Sequence, residues 1–176
     1  MSSKPTSNRD AAPQGGEARD PDDVPSRDDV GDGPAEAHAA VIGRKRGVIG
    51  VISRGEHFLV IRRSRHVTAP RKLCLPGGTI EAGETESEAL VREMQEELSI
   101  DVRPVRCCYR SRTPWGTLLA WWVAELSPDV TPIPDPTEVE SYCWMTLDEI
   151  QAVRGALPSL PEFFAAVRDG QIEVTV

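Results

Sequence analysis

Two runs near the start of the well-patterned part of the chain, Gly47-Val-Ile-Gly-Val-Ile-Ser and His57-Phe-Leu-Val-Ile-Arg, are rich in β-branched residues and flank Arg54-Gly55-Glu56. That pattern predicts two strands joined by a tight turn. Leu73-Cys-Leu-Pro reads as a short strand entering the Gly77-Gly78 turn. From Thr85 the period changes. Leu90, Val91, Met94 and Leu98 recur at helical spacing and predict an amphipathic helix. Thr85 with Glu88 three residues later forms a capping-box signal at its start. Strands are predicted over 102–111 and 117–126 across Pro114-Trp115-Gly116, and again over 139–145 after a proline-rich loop at 127–136. Capping-box spacings at Thr146/Glu149 and Ser159/Glu162 predict two further helices, the second ended by Gly170. Residues 172–176 read as a terminal strand or a docked tail. Strands with one helix after the glycine turn and helices at the end define an α+β layered domain.

Composition divides the 176 residues into two parts. Residues 1–40 carry nine acidic against four basic side chains, are rich in Pro, Gly, Ser and Ala, and have no aromatic residue. Such a stretch buries too little apolar surface to offset chain entropy, so a disordered acidic tail is expected over 1–40 and a folded domain over 41–176. A net charge of −8 excludes a basic-patch nucleic-acid binder. No apolar run approaches the ~20 residues that span a bilayer, and the N-terminus lacks the apolar core of a signal peptide. Cys74, Cys107, Cys108 and Cys143 have no metal-ligand spacing and read as buried free thiols in a reducing cytoplasm.

The chemistry concentrates in residues 78–100. Glu93, Glu96 and Glu97 share one side of the predicted helix, with side chains starting roughly 5–6 Å apart. In a partly desolvated cleft such carboxylates repel by about 3 kcal/mol per pair at an effective dielectric near 20. A hard divalent cation turns that repulsion into a binding site.

Gly78, Glu84, Arg92, Glu93, Met94, Glu96, Glu97 and Ile100 stand at the spacing of the Nudix box, and Leu75-Pro76-Gly77-Gly78 and Glu81-Ala82-Gly83-Glu84 supply its usual lead-in. The chain therefore resembles the Nudix hydrolase family. Ser99 occupies the position of the family's second glycine, where a left-handed serine costs on the order of 1 kcal/mol. The resemblance implies an α/β/α sandwich around a mixed sheet. It also implies a hydrolase, dependent on Mg²⁺ or Mn²⁺, that cleaves the diphosphate linkage of a nucleoside diphosphate joined to another moiety. The substrate is then a small nucleotide-type molecule, with no stable nucleic-acid or membrane partner; a second copy of the chain is an admissible one. A catalytically silent nucleotide-binding module is the alternative reading.

Carried over position by position, Glu93, Glu96 and Glu97 are the metal-binding carboxylates, with the Gly78 carbonyl as a further ligand. Glu93 is the expected general base. Glu84 and Arg92 form an ion pair that orients the helix. Outside the box, Arg62, Arg63, Arg65, Arg71 and Lys72 are candidate phosphate contacts, because guanidinium forks match phosphate oxygens. Glu138 and Glu140 precede the Tyr142–Met145 part of the late strand, and Glu140 is a candidate extra ligand or base. Trp115, at a hairpin tip, offers a stacking surface for a base. Trp121, Trp122 and Trp144 read as core or sheet-face residues.

Overall fold

A computed structural model of the chain describes residues 45–175; the tail expected over 1–40 lies outside the described residues. Ten elements follow in order: β1 (Arg46–Arg54), β2 (His57–Arg63), β3 (Leu73–Cys74), β4 (Gly77–Thr79), α1 (Glu86–Leu98), β5 (Val102–Arg112), β6 (Leu118–Leu126), β7 (Val139–Thr146), α2 (Leu147–Ala152) and α3 (Ser159–Arg168). The sheet runs β3-β2-β1-β6-β5, with β4 on β1 and β7 on β2. It is mixed. β1 and β6 are parallel, and every other strand pair is antiparallel.

Alternation along the strands builds two cores. Val48, Ile52, Leu59 and Ile61 face one way and pack with Leu90, Met94 and Leu98 of α1. Val51, Phe58 and Val60 face the other way and pack with Ile150 of α2 and Leu160, Phe163 and Phe164 of α3. Period-two side chains on strands buried on both sides give an α/β/α sandwich. Trp121 lies in the second core, stacked on Phe163 at 4.3 Å between ring centroids. Trp122 and Trp144 pack against the first core.

β1 supports both β2 and β4 on the same edge. It pairs with β2 only at Ser53 and Arg54, beside the Gly55 turn, and with β4 at Gly47, Val48 and Ile49. Between them the Gly50 N–H donates to the Pro76 carbonyl at 2.9 Å. The predicted glycine turn thus becomes a short strand docked on β1. Gly77 makes this possible, because it adopts φ +143 and a Cβ there would overlap the Val48 carbonyl.

The helix starts and stops follow local chemistry. Thr85 and Thr146 each close a capping box with the glutamate three residues on. Ser99 caps α1 in the left-handed conformation at φ 53, and its N–H donates to the Gln95 carbonyl. The capping box expected at Ser159 does not form. Pro158, with φ already near helical values at −54, takes the cap position and draws Ser159 into the first turn. The C-terminal residues dock without entering the sheet: Ile172 is buried, and Arg106 donates to the Glu173 carbonyl at 2.8 Å. Of the four free thiols only Cys74 is buried as expected; Cys107 and Cys108 are half-buried, and Cys143 is exposed on the outer face of β7.

Candidate active site

Helix α1 carries two stripes. Leu90, Met94 and Leu98 anchor it to the sheet, while Glu93 and Glu97 point toward the Gly77–Gly78 backbone of β4. The Gly77 N–H donates to the Glu97 carboxylate at 2.9 Å. At Gly78 a Cβ would overlap the Glu93 carboxylate, so only glycine lets the two approach. Glu93 and Glu97 are 7% and 3% exposed, and they are the two buried charged residues among those described.

Burial governs their protonation. Desolvation pushes the Glu97 carboxyl up to about 8, against the opposing hydrogen bond from Gly77 and with help from the charges of Glu93 and Glu138. Desolvation also raises Glu93, opposed by the Arg92 guanidinium. Two buried carboxylates that both resist ionisation form a site short of positive charge.

Arg92 supplies part of that charge and the scaffold. Its Nε and Nη2 hold both Glu84 oxygens at 2.7 and 3.0 Å, its Nη1 reaches Glu93 at 3.0 Å and Glu96 at 2.8 Å, and Nη2 also donates to the Thr79 carbonyl. The Arg92 hydrogen bond holds the Glu84 carboxyl at about 2, well below its ordinary range. The expected ion pair is therefore present, and it links the lead-in turn, β4 and α1. Glu96 stands apart. Its side chain is 53% exposed and turned to Arg92. Among the described residues no three acidic, histidine or cysteine side chains converge as a ligand set. The three-carboxylate expectation thus narrows to a buried pair, Glu93 and Glu97.

The donors fit a hard divalent ion. The Glu93 carboxylate packs directly against the Gly78 backbone and the Glu97 carboxylate accepts from the Gly77 N–H, so oxygen donors gather at β4. Glu93, Glu97 and the Gly78 carbonyl are the groups that would hold such an ion.

A cleft of about 430 Å³ opens beside Gly77 and Gly78. Leu119, Trp121, Leu157 and Leu160 form its apolar floor, Arg63 stands near the glycines, and Trp115, 77% exposed, stands at its lip. Arg63 and Trp115 thus line one cleft. Arg63 donates to the Thr68 carbonyl at 2.8 Å, and its charge reaches Glu97. Arg62 and Arg71 lie on another side: Arg62 donates to the Arg71 carbonyl, and Arg71 grips both Glu140 oxygens at 3.2 and 3.3 Å.

The structure does not bring Glu140 to the carboxylate pair. Arg62 pairs with Ser141 and Arg63 with Val139, so a bulge leaves Glu140 outside the ladder and turned to Arg71. Glu138 is the late carboxylate whose charge reaches both Glu93 and Glu97. The sequence singled out Glu140 over Glu138 without support from alternation, because a bulge resets the register without a composition signal. Glu86 was equally hidden. In the first turn of α1 it accepts from Arg110 at 2.6 and 2.9 Å and from the Trp122 indole at 3.0 Å, fastening the helix start to β5 and β6.

The fold and the site define a class. The NUDIX domain pattern matches residues 43–167, and the chain belongs to that family. It is 34% identical over 129 residues to the "NAD-capped RNA hydrolase NudC" of Deinococcus radiodurans, covering 69% of this chain and 41% of that protein. It is 34% identical over 111 residues to the "Putative 8-oxo-dGTP diphosphatase 2" of Mycobacterium tuberculosis, covering 60% of this chain and 76% of that one. The chain thus spans less than half the length of the NudC relatives it matches. Among solved structures, the MutT protein of Methanosarcina mazei Go1 superposes with a TM-score of 0.64 at 21% identity, covering 73% of this chain and 95% of that one. That likeness establishes the fold.

Proposed function

We propose that this chain is a Mg²⁺-dependent hydrolase that cleaves the diphosphate linkage of a nucleoside diphosphate joined to another moiety. The observation that carries the reading is the buried Glu93–Glu97 pair, set against the Gly77–Gly78 backbone at one end of a cleft lined by aromatic and aliphatic side chains. Mg²⁺ held there would neutralise the diphosphate and lower the pKa of the attacking water. Manganese has the same preference for oxygen ligands and is an alternative ion.

The chain's own residues divide the remaining work. Glu93, whose basicity burial raises above that of an ordinary carboxylate, is the residue placed to accept the water proton. Arg92 fixes the Glu93 carboxylate and, with Glu84, holds α1 against the lead-in turn. Arg63 supplies a guanidinium beside the glycines for a phosphate oxygen, and Trp115 supplies a face for the base. Products are a nucleoside monophosphate and a phosphorylated second group, or a monophosphate and pyrophosphate from a triphosphate. The four free thiols suit a reducing, cytoplasmic setting.

The test is a phosphate-release screen with and without Mg²⁺ over 8-oxo-dGTP, other nucleoside triphosphates, ADP-ribose, nucleotide sugars, dinucleoside polyphosphates and NAD-capped oligonucleotides. Mg²⁺-dependent turnover abolished by Glu93→Gln is the expected result. Nucleotide binding without turnover would replace the hydrolase with a silent binding module.

A further inference from the structure

We propose that Glu86, which stands between the signature positions Glu84 and Arg92, is a positioning residue for the carboxylate pair. It fixes the roll and tilt of α1 and so the seat of Glu93 and Glu97 on β4. Its effect on turnover rests on the hydrolase reading above; its effect on metal affinity rests only on the geometry.

The apolar stripe of α1 does not supply that orientation. Burial of Leu90, Met94 and Leu98 sets how closely the helix lies on the sheet, but the attraction is non-directional. Charge-assisted hydrogen bonds add direction. Arg92 makes one such tie, from mid-helix to Glu84 and to the Thr79 carbonyl of β4. Glu86 makes another six residues earlier, about 9 Å back along the axis. One tie leaves α1 a pivot, and two define its axis.

The Glu86 carboxylate gathers groups from three strands. Arg110 of β5 donates from both terminal nitrogens at 2.6 and 2.9 Å, the Trp122 indole of β6 donates at 3.0 Å, and Arg46 of β1 at 3.4 Å. The Glu86 side chain is 13% exposed, and the Arg110 hydrogen bond holds its carboxyl below the ordinary range. Arg46 connects this tie to the site. Its carbonyl accepts from the Ile80 N–H at 3.0 Å, and Gly47 beside it pairs with Thr79 of β4. The residue that holds the start of α1 thus also holds the end of β4.

Residues seven and eleven apart on a helix return to one side within about 20°, so Glu86, Glu93 and Glu97 lie along one line of α1. Roll at Glu86 is therefore roll at both carboxylates. The site has no slack to absorb it: the Glu93 carboxylate packs on Gly78 with no room for a Cβ, and Glu97 accepts from the Gly77 N–H at 2.9 Å. Stability alone does not account for the cluster, because Arg110 is 65% exposed and pairs of that kind add little.

The test titrates Mn²⁺ alone into the full chain by calorimetry, and measures kcat and KM on the nucleotide turned over fastest in the screen above. Variants are Glu86→Gln, which keeps the volume and loses the charge, and Arg110→Met, which leaves Glu86 on Trp122. Each should weaken Mn²⁺ binding and lower kcat by about tenfold, the lower end of what outer-shell partners contribute at metal sites, with KM within about twofold of wild type. Arg103→Ala removes the Arg103–Glu125 pair between the same two strands without touching α1, and should leave Mn²⁺ affinity unchanged. A lower melting temperature with unchanged Mn²⁺ affinity and kcat reduces Glu86 to a structural tie and overturns the proposal, as does an equal loss in Arg103→Ala. Arg110→Met decides the outcome alone if Glu86→Gln does not fold. Absence of turnover in the wild type, with Mn²⁺ binding still weakened by both variants, removes the hydrolase reading and retains the positioning role.

Discussion

The Glu93–Glu97 pair and the Arg62–Arg65–Arg71 group around Glu140 are two regions of unbalanced charge. The first is buried, with too little positive charge around it; the second is largely exposed, with one carboxylate shared among three guanidiniums. Both have unbalanced charge, but solvent decides what the imbalance is worth. Water screens the arginines to contributions of about 0–1 kcal/mol per exposed pair. Burial raises the Glu97 carboxyl to about 8. The region from which water is excluded is the one whose protonation is shifted most, and it is the one to which the proposed chemistry is assigned.

The contrast breaks first at the buried region. Glu93→Gln and Glu97→Gln should each lower kcat by about a hundredfold or more, the scale of one lost charge contact in an active site. Their melting temperatures should stay close to wild type near neutral pH, because glutamine keeps the side-chain volume and a carbonyl oxygen for the Arg92 and Gly77 hydrogen bonds. Near wild-type rates in both would sink the assignment.

Acidity sharpens the same region. The folded Glu97 carboxyl is raised to about 8 from 4.5, so the metal-free folded state keeps a proton that the unfolded chain has released. Stability should therefore fall as pH rises through that window and level off above it. Added Mg²⁺ should raise the melting temperature more at about pH 8 than at about pH 6, where binding must first displace the proton. A metal-free melting temperature that Glu97→Gln leaves with the same pH slope would contradict this.

Gly77→Ala separates scaffold from charge. The φ of +143 and the overlap with the Val48 carbonyl should destabilise the protein by about 1–3 kcal/mol, read in urea unfolding. Gly78→Ala leaves ordinary backbone angles but displaces the Glu93 carboxylate, so it should lower activity more than stability. Trp115→Ala, at the exposed lip, should raise KM by about tenfold for a stacked base and leave the fold unchanged. An equal KM would remove the stacking role. The smallest change is Ser99→Gly, which should stabilise by about 1 kcal/mol because serine holds a left-handed cap at φ 53. No gain in melting temperature would show that the cap carries no strain.

Legibility followed the range of the interactions. The strands, the start of α1 and the Glu84–Arg92 pair were readable because spacing fixes alternation, capping and neighbours on one turn. The left-handed cap at Ser99 was readable only from the family's glycine at that position, since serine gives no such local signal. The start of α3 was misjudged by one residue, since Pro158 competes with Ser159 for the cap and local chemistry alone does not rank them. Glu140, singled out from the sequence over Glu138, could not be placed locally either, because the β7 bulge is decided by pairing with β2.

The sequence by itself determined the layered fold, the family and the set of acidic residues on one helix, all of which rest on period and spacing. Only the tertiary structure decided which of those carboxylates are deprived of water. Glu93 and Glu97 are buried because β4 docks on β1 and presents Gly77 and Gly78 to them, while Glu96, on the same stretch of helix, turns out to Arg92. Burial is a property of what comes to lie opposite a residue. Strands and loops distant in the chain supply it, and no spacing within one helix records them.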